Sequence, residues 1–398
     1  MPYSVDLPGA AHTIACMSLQ PPRSRAELCA WVRLIRSENV GPVTCRELIA
    51  RFGDAYTALD ALPELSRRGG RKQAVKIASK ASAERELARL DELGVEVIAL
   101  GGPGYPPRLA QVADAPPLLF ARGNVQLLAR PGLAMVGARN ASANGRRVAR
   151  ELAAELARRE FLVVSGMARG IDAAAHTGAL ADGTAAVLAG GVDVIYPPEH
   201  DELYAELAER GVLLAENPVG EQPQARHFPR RNRLISGLSV GTLVIEASPK
   251  SGSLITARFA GEHGREVMAV PGSPWDGRSR GCNRLIKEGA ALVESAADVV
   301  DAVAGRVQRE PSEPAGTPYA ATGVAPDDLD GAELDRAREA VLTALSPTPV
   351  EVDEVIRACH VSPAVAATAL LELELAGRCV RHPGNRVALA QEDTAAAF

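Results

Sequence analysis

At 398 residues, 46% of them hydrophobic and 23% charged, the chain is longer than one compact core, which predicts a large central unit with smaller appendages. Its apolar runs are too short to span a bilayer and the N-terminal stretch lacks the basic start and sustained apolar segment of an export signal, so no membrane span and a cytoplasmic location are expected. A net charge of −5 excludes nucleic-acid binding through the field of the whole molecule; a local basic patch has to supply any such affinity.

Residues 1–24 read as a poorly ordered N-terminus. Between 25 and 93 short helices are expected, because Leu28, Trp31, Leu34 and Ile35 keep helical spacing and Val40-Gly41-Pro42 turns sharply into a second helix over Val43 to Phe52. That turn resembles a helix-hairpin-helix of the SAM-like type, in which exposed amides approach a phosphate; a plain inter-helix turn is the commoner meaning of Gly-Pro.

From 94 to 304 the runs VEVIAL, LAMVG, FLVVSG, TAAVLAG, GVLLAE, GTLVIEA and REVMAV are each followed by a loop and usually a helix, the pattern of an α/β, Rossmann-like, doubly wound and mainly parallel sheet. Val148, Leu152 and Leu156 give one of those helices an apolar stripe to lay on the sheet. Binding is then expected at the carboxyl ends of the strands. Residues 305–330 are rich in Pro, Gly, Ser and acidic residues and read as a linker. Over 331–392, helices at Leu334–Leu345, Val350–Cys359 and Pro363–Leu375 with a hairpin around His382-Pro383-Gly384-Asn385 predict a C-terminal winged-helix-like domain. Cys16, Cys29, Cys45, Cys282, Cys359 and Cys379 form no Cys-x-x-Cys pair, which fits reduced structural thiols and no metal site.

Three loops carry the candidate chemistry. In VGARNASANG, Gly137 ends a strand, Arg139 offers a planar bidentate donor, and a helix starts near Ser142 or Asn144, where free N–H groups favour an anion. In FLVVSGMARGIDAAAH, Ser165, Gly166, Arg169 and Gly170 can form a nest around a phosphate. The loop is neither a Walker A motif nor a G-x-G-x-x-G fingerprint, so nucleotide hydrolysis gains no support. Asp172 and His176 lie four apart on that helix, and a helix-start carboxylate with a packed imidazole is expected of them rather than acid–base catalysis. In FPRRNRLISGLSVGTLVIEA, Phe228 stands beside Arg230, Arg231, Asn232 and Arg233, a composition suited to backbone contact and base stacking, with at least one arginine expected to pair internally with Glu216 or Glu246. Ser253 reads as a cap of the following helix.

Taken together, YPPRL, PPLLFARGN, VGARNAS, SGMARGIDAAAH, VLAGGVDVIYPPEH, FPRRNRLISGLS, SGSLITARFA, GREVMAVPGS and GCNRLIKEGA resemble, in order, the DprA/Smf (DNA-processing protein A) family over about Tyr105 to Leu292. The resemblance implies binding and protection of single-stranded DNA, loading of the recombinase RecA in natural transformation, and a homodimer formed through the Rossmann-like region. It places Arg139 and Arg169 where the family holds DNA phosphate, and it implies no catalytic activity and no cofactor. The third tail helix, PAVAATALLELELAG, is acidic and apolar where a DNA-reading helix carries Arg, Lys or Asn. With basic side chains confined to Arg378, Arg381, His382 and Arg386 on the hairpin, the tail reads as a protein-contact or weak DNA-contact module.

Two other readings compete. A nucleotide-processing enzyme of the lysine-decarboxylase-like type would hold phosphate with PGGxGTxxE, of which only Gly241-Thr242 to Glu246 is present. A protein-recruiting recombination adaptor would bind DNA only secondarily.

Overall fold

The computed structural model describes residues 19–307, 331–382 and 384–390. The rest of the expected N-terminus and linker, together with Pro383, lies outside the described residues. Residues 19–24 are not loose: Pro21 packs 3.3 Å from the position a side chain on Gly102 would take, and Ser24 caps the first helix by accepting from the Glu27 amide.

The head consists of α1 (Arg25–Ile35), α2 (Pro42–Phe52), α3 (Ala55–Arg68) and α4 (Lys80–Glu92). The helical spacing of Trp31, Leu34, Leu48, Ile49, Leu62 and Leu87 puts all of them in one buried core. Asp54 starts α3 by accepting from the Tyr56 and Thr57 amides at 2.8 and 2.9 Å.

The central domain is a nine-stranded sheet in the order β1-β2-β6-β5-β4-β3-β7-β8-β9. Its strands are β1 (Glu96–Ala99), β2 (Leu118–Gly123), β3 (Gly132–Gly137), β4 (Leu162–Ser165), β5 (Thr184–Val187), β6 (Val212–Ala215), β7 (Ser239–Ile245), β8 (Glu266–Ala269) and β9 (Ala291–Leu292). From β6 across to β9 every pairing is parallel, whereas β1 and β2 join antiparallel. The expected sheet is therefore present, with two additions: the short edge strand β9, and PPLLFARG, which forms β2. Two prolines before it and an arginine within it hide a strand that is buried from Leu118 to Ala121.

After β3, α6 (Ala143–Arg158) leads to β4, α7 (Ile171–Ala179) to β5, and α8 (Asp201–Arg210) to β6; the chain then crosses by α9 (His227–Gly237) to β7 on the other side of β3. That reversal beside β3 opens a crevice at the carboxyl ends of the strands. The short α5 (Pro107–Ala110), α10 (Ser253–Glu262), α11 (Arg280–Lys287) and α12 (Ala296–Val307) complete the layers, and α12 runs past the expected domain end at 304. Leu152 and Leu156 of α6 face the sheet among Leu133, Met135 and Val163. Each buried leucine contributes about 1.5–3 kcal/mol.

The tail is a winged helix: α13 (Gly331–Ala344), α14 (Val352–Cys359) and α15 (Pro363–Leu375), with β10 (Val350–Glu351), β11 (Cys379–His382) and β12 (Arg386–Leu389) in a three-stranded sheet. Its third helix does not face outward. Leu371 and Leu375 of α15 belong to the head's core, and Gly69 at the end of α3 lies so close to the Glu372 carbonyl that any side chain there would collide with it. Asn39 and Ser66 of the head each donate to the Leu375 carbonyl at 3.2 Å, satisfying an oxygen that a helix end leaves unpaired. Glu374 accepts from Thr44 at 2.6 Å and from Arg381 at 3.1 Å, and Arg381 also reaches Glu47 at 3.0 Å. Burial pushes the Glu47 and Glu374 carboxyls up, and Arg381 pulls them back toward the ionised form. The acidic composition of α15 thus serves contact within the chain. No single helix among the described residues is long and apolar enough to cross a membrane.

Arg381→Ala strands the buried Glu374 carboxylate and leaves the partly exposed Glu47 to water, so opening the head–tail contact should become easier by about 3 kcal/mol. Amide exchange in α15 and α2 is the measurement, and unchanged protection there would remove Arg381 from this role.

Candidate nucleic-acid interface

Loops at the carboxyl ends of β3, β4 and β5, together with the start of α9, enclose a cleft of about 100 Å³. Arg139 stands at its rim, exposed, its guanidinium 5.2 Å from the centre of the Phe228 ring. Tyr196 leans on the same ring at 5.5 Å and 55°, itself 46% exposed. Arg169, which also lines the cleft, is exposed and ion-paired to Glu199, a surface pair that water and salt screen and a phosphate can displace. Two guanidinium groups therefore share the cleft with an aromatic wall, and among the described residues Arg139 has no carboxylate partner. Arg230, also exposed, follows Phe228 on α9.

The loop between β4 and α7 owes its shape to two left-handed residues: Met167, buried at φ 57°, and Gly170 at φ 79°, whose missing side chain leaves room for the Ala138 and Arg139 carbonyls. Gly137 and Gly170 thereby bring the Arg139 and Arg169 loops together, and the Ile171 amide donates to the Ala138 carbonyl at 3.2 Å.

Part of the nest and of the helix starts expected to cradle phosphate is already occupied. Asp172, buried at the start of α7, accepts from the Gly166 and Ala168 amides at 3.2 and 3.3 Å. At the start of α6, Ser142 caps the helix through the Gly145 amide at 2.9 Å, and Glu246 accepts from the Ser142 amide at 2.8 Å and from its hydroxyl. A carboxylate at a helix start satisfies the N–H groups and the dipole that an incoming anion would use. Glu246, the last residue of the half-motif that suggested a nucleotide-processing enzyme, is spent on this cap. In the head Glu374 lies 3.8 Å from where a Gly41 side chain would begin, so the hairpin turn faces a carboxylate of the tail.

Of the residues grouped by sequence with the contacts, four have side-chain polar atoms committed inside the domain. The Ser165 hydroxyl donates to the Met135 carbonyl at 2.6 Å. Arg231, 5% exposed, donates to the Gly166 carbonyl at 2.5 Å and to the Val187 carbonyl, fixing the cleft floor. Arg233 pairs with Glu216 and with Asp114, the internal pairing expected for at least one arginine of this run. Asn232 bridges to the Gly252 carbonyl at 3.4 Å. Gly252, not Ser253, stands at the start of α10, and Ser253 instead shares a hydrogen bond with Ser251 at 2.7 Å. Tyr196 and the walls Leu188, Ala189 and Gly190 were not singled out from sequence, although they lie within VLAGGVDVIYPPEH.

Burial raises the Asp172 carboxyl, with Arg231 opposing. It pushes Arg231 down to about 10, still charged at neutral pH, and His176 down to about 3. Because the Thr184 hydroxyl donates to the Val163 carbonyl at 2.8 Å, it accepts from His176 Nδ1 at 2.7 Å, which places the single imidazole proton on Nδ1 and leaves Nε2 without a partner. Asp172 and His176 are the structural pair expected of them.

The chain matches the family model for DNA recombination-mediator protein A over residues 96–304, the DprA-like N-terminal HHH domain over 25–88 and the DprA winged helix domain over 325–385. It is 43% identical to the DNA processing protein DprA of Bacillus subtilis over 54% of this chain and 74% of that one. It is 40% identical to the Smf protein of Escherichia coli over 77% and 81%, and 31% identical to that of Synechocystis over 91% and 99%. Among solved structures, DprA of Streptococcus pneumoniae superposes with a TM-score of 0.56 at 35% identity, covering 68% of this chain and 95% of that one.

Two outcomes separate frame from contact. Arg231→Ala leaves Asp172 buried without its compensating charge and should cost about 3–5 kcal/mol of stability, whereas the exposed Arg139→Ala should stay within about 0.5 kcal/mol; equal losses by chemical denaturation would undo the distinction. His176 has a folded value below its ordinary 6.5, so the unfolded chain binds the extra proton and stability present above pH 6.5 drains away as pH falls toward about 3. The slope is up to about 1.4 kcal/mol per pH unit, partly offset by Asp172, whose raised carboxyl acts in the opposite sense. Denaturation of His176→Gln across this window should show the wild-type acid slope flattened by that amount.

Proposed function

The chain belongs to the DNA recombination-mediator protein A (DprA/Smf) family, and on that premise we propose that it binds single-stranded DNA in the cleft between Arg139 and Arg169, holding backbone phosphate with the two guanidiniums and a base against Phe228 and Tyr196. The observation that carries this reading is the exposed Arg139 over the Phe228 ring at the mouth of the cleft. An arginine with no carboxylate partner is ready for phosphate, and a ring that already accepts a cation on its face accepts a base there equally well.

A duplex keeps its bases stacked inside, so a cleft built around an aromatic wall favours a single strand with little sequence preference. We further propose that the protein protects the bound strand, loads RecA onto it during natural transformation, and acts as a homodimer through the central domain, in the cytoplasm and without catalysis or a cofactor. The edge strand β9, with Leu292 48% exposed, supports a contact between copies on that side.

Fluorescence anisotropy with labelled single- and double-stranded oligonucleotides across a salt series tests the central claim. Wild type should prefer the single strand. Arg139→Ala/Arg169→Ala should bind it about tenfold or more weakly for each arginine lost, with the salt slope shallower by about 1.4. A double variant that binds as tightly as wild type would dismiss these arginines as the site.

A further inference from the structure

Beyond the cleft, the most exposed large apolar side chain among the described residues is Trp275, 90% accessible in the loop that follows β8. A tryptophan that could cover about 150–250 Å² is here held in water. The loop presenting it is pinned rather than slack. Gly272 and Asn283 exchange hydrogen bonds of 3.1 and 2.8 Å at its base, the Trp275 amide donates to the Ser273 hydroxyl at 3.3 Å, and the Asp276 amide donates to the Ser273 carbonyl at 3.1 Å. Arg278 closes on Asp276 through its own amide at 2.9 Å and its guanidinium at 3.0 Å, leaving no unpaired acid on the loop. The indole is therefore displayed on a fixed frame.

Its position is on the edge of the sheet that carries the cleft. Trp275 lies in the loop after β8 and Arg139 in the loop after β3, with β7 between, so the strands from which the two loops leave stand two spacings, or about 10 Å, apart. The Gly281 amide, just past the loop, donates to the Ala247 carbonyl at the end of β7 at 2.7 Å. The Arg278 guanidinium also feels Glu246, the residue that caps α6 a few positions from Arg139. The exposed cations beside the loop, Lys250 after β7 and Arg280 at the start of α11, have no ion-pair partner among the described residues.

We infer that Trp275 is a second base-stacking platform, receiving a nucleotide of the same single strand after it leaves the Arg139 cleft, with Lys250 and Arg280 meeting the intervening phosphates. This rests on the proposed DNA reading and extends its track from β5 to β8. An unpaired cationic rim around an accessible aromatic face suits a polyanion with π-faces. It suits a second copy of a chain of net charge −5 less well, because an interface core is depleted of charge.

The test uses the chain's own fluorescence. It has two tryptophans, and Trp31 is 3% exposed in the head's core, so a change in solvent-exposed emission reports Trp275. Single-stranded oligonucleotide should quench that emission. Trp275→Ala should weaken binding about 5- to 150-fold, equivalent to about 1–3 kcal/mol per stacked base, while Trp275→Phe retains most of the affinity. On an oligomer of abasic deoxyribose phosphates, wild type and Trp275→Ala should bind alike, because phosphate contacts remain and stacking is gone. If the oligonucleotide binds by anisotropy, loses affinity with Arg139→Ala, yet leaves the emission and the Trp275→Ala affinity unchanged, the platform is wrong and the cleft stands. Emission that follows protein dilution instead of DNA reassigns Trp275 to contact between copies and overturns the inference. No binding by wild type removes the DNA reading and the platform together.

Discussion

Beneath the cleft a carboxylate and a guanidinium are both withdrawn from water, and the geometry above depends on them. Asp172 gathers the Gly166 and Ala168 amides, while Arg231 ties the Gly166 carbonyl to that of Val187 at the end of β5, so one buried charge of each sign converges on Gly166. Neither is tolerable alone in such a place. Their coexistence holds the left-handed Met167 and carries Arg169 to the cleft that Arg139, delivered by the neighbouring strand, also lines.

A consequence is the style of anion recognition available. Nucleotide-binding proteins of this architecture commonly aim helix amides at one phosphate. Here Glu246 takes the Ser142 amide before α6 and Asp172 takes the Gly166 and Ala168 amides before α7, so the charged donors left on the described rim are guanidinium side chains. Long guanidinium arms adjust to a backbone whose phosphates arrive at varying positions, whereas a fixed cradle selects one small molecule. That difference fits a polymer ligand and a site without turnover.

Much of this was legible in the sequence. The alternation of apolar runs and helical stripes yields the parallel sheet because burial on both faces leaves a strong pattern, and the three tail helices are marked by their caps and prolines. Arg139 and Arg169 were visible as basic residues at strand ends. An internal pair with Glu216 or Glu246 is expected of at least one arginine in the run, but which arginine makes it, and that Arg231 is buried too, was hidden. Arg231 and Arg233 sit two apart beside Arg230 with no local mark of burial, and their partners, Gly166, Val187, Glu216 and Asp114, come from distant loops. Likewise Glu246 resembles any acidic residue until the fold sets it against the start of α6, whereas Asp172 was marked by its place at the start of its own helix. Strand β2 escaped because prolines and an arginine mask a segment whose antiparallel partners lie on either side of it in the sheet.

The docking of α15 makes head and tail one cooperative body despite some 240 residues between them. Leu371 and Leu375 complete the head's core, and Asn39 and Ser66 finish the helix from outside its own domain. Substitutions in α3 and α15 should therefore covary across relatives that keep both domains, a bulkier residue at one being matched by a smaller one at the other. A chain shortened at the linker would inherit a hydrophobic notch in α2 and α3 that a chain lacking the tail by descent must have filled with larger side chains of its own.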